Sequence, residues 1–236
     1  MQVNASGTTR SMPAETVWAV AAQLRRHVTR EEGTVGVSKA AIVAATAALM
    51  VNARAIATSW DFEHEVHDGT GQSVLGVCET DPGLPGFACI SLNRDMVEHQ
   101  PELTLSTIAH ELGHVVFDVP MAFGSAERRY RSFTRAPDAL VRGQGLSERR
   151  ANEFMGALLV PPVPLHTRLL ALARRESLRL ARAPHRGRPA CPVLARDNCP
   201  HAIAGVIAVA ATEFGVSDRF IAVRIQRYGL IEGGLA

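Results

Sequence analysis

Two histidines and a glutamate lie within five residues at His110-Glu111-Leu112-Gly113-His114. On an α-helix, positions i and i+4 share a face about one turn apart, so His110 and His114 can present imidazole nitrogens to one ion. That is zinc-ligand spacing. Glu111 is the next residue round the helix. It lies near enough to a water in the open coordination position to take its proton as the metal lowers that water's pKa. Metal site and general base therefore come within a single turn.

A helix must carry this motif, and the flanking residues supply one. Pro101 suits a first helical turn, Leu105, Ile108, Leu112 and Val116 form an apolar stripe, and Pro120 stops the run. Gly113 between the two histidines costs a helix about 1 kcal/mol, which predicts that another backbone packs closely against it.

A zinc site of two histidines needs a third protein ligand from elsewhere in the chain. Residues 146–162 read as a second helix, with Ser147 as cap, Ala151, Phe154, Met155, Leu158 and Leu159 as its buried face, and Pro161-Pro162 as its end. Its candidates are Glu148 and Glu153, about 140° apart round the helix, so both cannot face one metal. Glu148 is favoured because Asn152, at i+4, would face the same way and could orient a ligand.

At these positions the sequence resembles the ImmA/IrrE-like metallopeptidases, gluzincin-type zinc enzymes. The resemblance is carried by Gly86-Phe87-x-x-Ile90-x-Leu92-Asn93, by Thr107 to His114, and by Glu148-Arg149-Arg150-Ala151-Asn152-Glu153-Phe154 leading to Leu158-Leu159-Val160-Pro161. It covers residues 74–165, with a fainter echo at the C-terminus. It implies His110, His114 and Glu148 as zinc ligands, Glu111 as general base, and cleavage of a helix-turn-helix repressor that switches on stress or mobile-element genes, with zinc or manganese supporting activity. Asp118 stands where many members have a histidine. Four residues after His114, it is either a hydrogen-bond partner of that ring or merely the end of the helix. Nothing resembles the distant third histidine of metzincins, which argues against that zinc class.

Composition sets the frame. A chain of 236 residues, 47% hydrophobic, can bury one core plus a small appended domain. The apolar runs at 40–51 and 202–211 are shorter than the ~20 residues that span a bilayer, and the N-terminus has no basic region followed by an apolar core. The expectation is a cytoplasmic chain without a membrane partner, with Cys78, Cys89, Cys191 and Cys199 reduced. Charge is uneven: up to Val119 seven basic residues face fourteen acidic ones, a net −7, and from Pro120 eighteen face nine, a net +9. A basic half fits an acidic partner or nucleic acid, or solvated arginine-rich helices.

In chain order, residues 1–12 read as a disordered tail, Pro13 opens a helix with Val17, Val20, Ala21 and Leu24 on one side, and Ser38 caps a second helix running to Ala57. Residues 59–67 alternate as a strand, ended by Asp68-Gly69, with His64 and His67 on opposite faces and given no metal role. Residues 73–78 and 86–93 follow as a hairpin around a Pro- and Gly-rich turn, and its register could bring Cys78 near Cys89. The strand Phe87 to Asn93, directly before the motif helix, is expected to lie along the cleft and to offer an edge to an extended peptide. Residues 122–145 read as a long loop or flap.

An amphipathic helix is expected from His166 to Ala183, then an irregular insertion from Pro184 to Pro200, then a helix-turn-helix outline over 202–228 with Ser217 as cap and Gly229 as stop. Arg219, Arg224 and Arg227 would be its phosphate contacts. Tyr130, His166 and His201 are candidates for oxyanion stabilisation. The whole reads as an α+β, zincin-like chain that is mostly helical. A metallopeptidase domain over 1–165 carries a small three-stranded antiparallel sheet, and an arginine-rich helical region fills 166–236. A DNA- or repressor-binding regulator with a structural or silent metal site is the competing class.

Overall fold

The computed structural model describes residues 11–29, 35–123, 129–135, 145–185 and 188–234. Most of the tail expected at 1–12 therefore lies outside the described residues. The architecture is α+β, and the chain divides into two compact units: Met1–Gly33 with Val37–Leu158, and Thr34–Gly36 with Leu159–Ala236.

In the first unit, α1 (Ala14–Val28) follows Pro13 and buries Val17, Trp18, Ala21 and Val28. Ser38 caps α2 (Lys39–Thr46) by accepting a bond from the Ala41 N–H at 3.1 Å. The helix does not continue to Ala57. The buried Thr46 hydroxyl donates back to the Ile42 carbonyl at 2.7 Å, and the chain then forms a hairpin of β1 (Ala48–Val51) and β2 (Arg54–Asp61), with Val51 opposite Arg54. Asn52 (φ 50°) and Ala53 (φ 61°) are both left-handed, as a two-residue type I′ turn demands. Alanine in that region costs roughly 1 kcal/mol. The alanine-rich run thus has helical composition and lacks the Asn-Gly signal that would have marked the turn.

β2 also replaces the strand expected over 59–67: it starts earlier and ends at Asp61, and His67 makes only an isolated bridge to Ser73. β3 (Gly76–Thr80) and β4 (Phe87–Leu92) form the expected antiparallel hairpin. Cys78 pairs with Ile90 and Glu79 with Cys89, so the two thiols occupy opposite faces of the pleat and remain free.

The sheet has five strands, not three, and is mixed rather than antiparallel. Its order is β1-β2-β4-β3-β5, where β2 and β4 run parallel and β5 (Arg131–Thr134) pairs antiparallel with β3. This corrects two expectations. β4 is hydrogen-bonded on both sides, so Phe87 to Asn93 has no edge to offer a peptide. A strand also lies within the stretch expected to be a loop, of which 124–128 and 136–144 are outside the described residues.

Asn93 caps the short α3 (Arg94–His99), which periodicity did not predict, by accepting from the Asp95 N–H at 3.1 Å. α4 (Pro101–Phe117) has proline in its first turn and packs on β3 and β4. Ile108, Ala109, Leu112 and Val115 of α4 and Ala88, Ile90 and Leu92 of β4 are all fully buried. Each large aliphatic side chain buried this way contributes about 1.5–3 kcal/mol. A short α5 (Val119–Ala122) takes Pro120 into its first turn, and α6 (Leu146–Leu159) ends just before Pro161-Pro162. Ser147 lies inside α6, where the Arg149 N–H bonds to the Gly145 carbonyl, so it is not the cap.

In the second unit, α7 (Pro162–Arg175) begins at the proline pair and stops well short of Ala183. Ser177 is left-handed (φ 53°), and β6 (Leu180–His185) and β7 (Arg188–Leu194) then form a hairpin in place of the expected helix end and irregular insertion. Pro184, Pro189 and Pro192 forbid a helix there, and exposure alternates along it, Leu180 and Arg182 exposed and Ala181 and Ala183 half-buried, with a strand's period. The C-terminal region is therefore not purely helical.

α8 (Pro200–Phe214), left-handed Gly215 and α9 (Asp218–Arg227), capped by Ser217 through the Phe220 N–H at 3.2 Å, follow the predicted helix-turn-helix outline. Arg224 is only 7% exposed and lies 5.4 Å over the Phe220 ring, which corrects its assignment as a surface phosphate contact. Among the described residues no single helix is long and apolar enough to cross a membrane.

Candidate metal centre

α4 and α6 meet through two small residues, Gly113 and Ala151. A Cβ added to Gly113 would stand 2.9 Å from the Ala151 Cα, so the close backbone predicted for this glycine is that of α6. That approach puts Glu148 opposite the two histidines.

The Nε2 atoms of His110 and His114 are 3.2 Å apart, and the Glu148 carboxylate reaches each of them at 3.3 Å. A tetrahedron with metal–ligand distances of about 2.0–2.1 Å has edges of roughly 3.3 Å; the two Nε2 atoms stand at that spacing from each other and each from one Glu148 oxygen, Oε2 for His110 and Oε1 for His114. The histidines are 4% and 0% exposed, whereas the Glu148 side chain is 33% exposed and is the side of the cluster open to solvent. Among the described residues this is the one group of three histidine, cysteine or carboxylate side chains arranged to hold a metal ion. Two imidazole nitrogens and a carboxylate form a donor set that a divalent cation fits.

Glu153, the rejected candidate, points elsewhere: its carboxylate accepts a bond from the Trp18 indole at 2.9 Å. His64 is exposed and bonds Asp61 at 2.8 Å, and it and His67 stand outside the cluster.

Each histidine is held from behind. His110 Nδ1 lies 3.1 Å from the Asn152 amide oxygen, and His114 Nδ1 lies 2.8 Å from Asp118 Oδ2. Donation through Nδ1 leaves Nε2 as the atom with a free lone pair in the neutral form of each ring. Asp118 also accepts from Ser147 Oγ at 2.7 Å, from the Tyr130 hydroxyl at 3.3 Å and from Arg150. The Arg150 guanidinium lies 5.4 Å over the Phe117 ring.

These contacts shape the protonation states. Burial opposes charge on His114, yet hydrogen bonds to Asp118 and Glu148 and the nearby carboxylates push its pKa up to about 9 in the metal-free chain. Burial likewise opposes the charge on Glu148, and the two histidines outweigh it, holding the carboxyl well below its usual range. Asp118 is lowered too, its burial overcome by His114, Arg150 and Ser147.

Glu111 is fully buried beside the cluster. The Thr134 hydroxyl on β5 donates to its Oε1 at 2.6 Å, and a Cβ on Gly76 of β3 would come within 3.0 Å of the same oxygen. Burial raises the Glu111 pKa, an effect the two histidines and Thr134 reduce.

Of the oxyanion candidates, Tyr130 turns its hydroxyl to His114 Nδ1 (2.8 Å) and Asp118. The His166 Nε2 lies 2.7 Å from the Pro192 carbonyl, and His201 is exposed on α8. Neither Tyr130 nor His166 has its polar atom free in this arrangement. Sequence reasoning missed Thr134 and Arg150 and gave Ser147 only the role of a helix cap. Thr134 falls where no strand was expected, and Arg150 resembles an ordinary surface residue near the start of a helix. No family model matches the chain, and no curated protein matches it.

Proposed function

We propose that this chain is a zinc-dependent endopeptidase of zincin type, and that its substrate is a helix-turn-helix repressor protein. The carrying observation is the convergence of His110, His114 and Glu148, whose ligand atoms lie within 4.8 Å of one another, with the buried carboxylate of Glu111 beside them. The ImmA/IrrE-like motif set supports the same reading and supplies its substrate class. His110, His114 and Glu148 would hold the ion. When bound, zinc supplies Lewis acidity that polarises a carbonyl and makes water acidic near neutral pH.

The chain's own residues do the rest. Glu111 takes the proton from the attacking water and passes it to the leaving amine, a task for which a pKa raised by burial is suited. Asn152 and Asp118 keep Nδ1 protonated on each histidine. Among the described strands β5 pairs only with β3, so its other edge can accept an extended peptide beside Glu111.

The test begins with metal analysis, which should find about one zinc per chain. The chain is then incubated, with zinc or manganese, with a small helix-turn-helix repressor encoded beside it. Glu111→Gln should retain the zinc and abolish cleavage; cleavage by that variant would sink the mechanism. The basic second half and the α8–α9 pair favour a second reading, a DNA-binding regulator with a silent metal site. Salt-dependent DNA binding that survives Glu111→Gln, with no repressor cleaved, would favour it.

A further inference from the structure

We infer that Asp118 is a positioning residue that sets the third-ligand helix against the histidine helix, so that both supply their ligands in one fixed geometry. This rests on the metal-centre reading above. Asp118 follows directly on α4 and is 4% exposed, yet its carboxylate meets four side chains from three parts of the chain. From α4 it takes His114 Nδ1 at 2.8 Å. From the start of β5 it takes the Tyr130 hydroxyl at 3.3 Å, and from α6 it takes Ser147 Oγ at 2.7 Å and the Arg150 guanidinium.

The positions on α6 carry the argument. Ser147 and Arg150 flank Glu148 in sequence, one residue before it and two after it. A carboxylate that bonds both fixes the rotation and height of the first turn of α6, and with it the place from which Glu148 reaches the histidines. The same carboxylate holds the His114 ring. One buried anion thus ties two of the three ligands to each other without touching an ion. The Gly113–Ala151 approach sets how near the helices come, while Asp118 sets their register.

The arrangement also explains why Arg150 is buried. A guanidinium 5% exposed needs a charged partner, and Asp118 supplies one while Phe117 covers its face. Losing Asp118 would release α6 as well as His114.

The experiment is a Co²⁺ titration of the full chain against a competing chelator, recording affinity and the ligand-field spectrum of the bound ion. Metal-free melting temperature is measured in parallel. Asp118→Asn should bind Co²⁺ about 10–100-fold more weakly and with an altered spectrum. Because that variant leaves Arg150 without its anion and can fail to fold, Ser147→Ala is the second arm. It removes one of the two α6 contacts, together with a 3.4 Å approach of Ser147 Oγ to His114 Nδ1, leaves Arg150 paired with Asp118, and should weaken Co²⁺ binding several-fold at a nearly unchanged metal-free melting temperature. Wild-type affinity and spectrum in Ser147→Ala, or a folded Asp118→Asn that melts lower but binds Co²⁺ normally, would overturn the inference. A wild-type chain that binds no Co²⁺ at all would overturn the metal-centre reading itself, and the inference with it.

Discussion

Thr134 donates its hydroxyl to Oε1 of Glu111 across 2.6 Å, joining the edge strand of the sheet to the proposed general base. A hydrogen bond to a carboxylate is worth about 1.5–3 kcal/mol. Thr134→Val keeps the shape and removes the donor, so kcat should fall about tenfold or more with KM little changed, and Thr134→Ser should restore most of the rate. Steady-state kinetics on a cleaved repressor measure both. A valine variant as fast as wild type would show that the bond does not serve the base.

Gly113→Ala tests the approach of the two ligand helices. Alanine favours a helix over glycine by about 1 kcal/mol, but its Cβ would meet backbone of α6 at 2.9 Å. Overpacking of that kind costs about 1–3 kcal/mol. The variant should be neutral to mildly less stable in urea unfolding, and it should lose zinc affinity by tenfold or more as α6 is pushed away. Zinc affinity at the wild-type level would show that α6 can shift without moving Glu148.

Glu148 and Glu153 lie on one helix and should behave oppositely. Glu148→Ala removes a carboxylate that sets one oxygen 3.3 Å from each histidine, so bound zinc should fall by orders of magnitude. Glu153→Ala removes the partner of the Trp18 indole, so zinc should stay while stability falls by about 1–2 kcal/mol. Metal content after dialysis, paired with melting curves, separates the two. The reverse pattern would exchange the assignments.

Protonation makes metal affinity and metal-free stability respond oppositely to pH. In the metal-free chain His114 is raised from 6.5 to about 9, so its stabilising contribution is complete below pH 6.5 and lost as pH climbs toward 9. Glu148 and Asp118 are lowered from 4.5 and 3.8, so theirs are present above those values and lost as pH falls through them to the lowered folded-state values. The metal-free melting temperature should therefore decline above pH 6.5 as His114 deprotonates. Zinc must displace the His114 proton, so its affinity should rise about tenfold per pH unit from 6.5 toward 9. Titrating zinc against a chelator at several pH values checks the slope, and an affinity flat across that range would contradict the His114 assignment.

The site was more legible in the sequence than the fold that carries it. His110, Glu111 and His114 are fixed by helical spacing alone, and Gly113 announced its neighbour because a glycine inside a helix needs a reason. Glu148 followed from its place on a second amphipathic helix with Asn152 one turn on. The sheet was harder. Residues 48–57 are alanine-rich and turn on Asn52-Ala53 rather than Asn-Gly, so their pairing is decided by partners distant in sequence. β5 is four residues long, too short for a period to show. Asp118 is the intermediate case: its spacing from His114 was visible, but its contacts to Ser147 and Arg150 exist only once α6 docks.

The proposed ligands come from two helices, and about 35 residues of chain run from His114 to Glu148. An ion held by both would tie the two ends of that stretch together in the folded chain and would stabilise it by binding the folded state alone. The enclosed stretch contains β5, and with it Tyr130 and Thr134. Loading the metal would thus stabilise the part of the chain that borders the base, so the cleft would be firmest when it is armed.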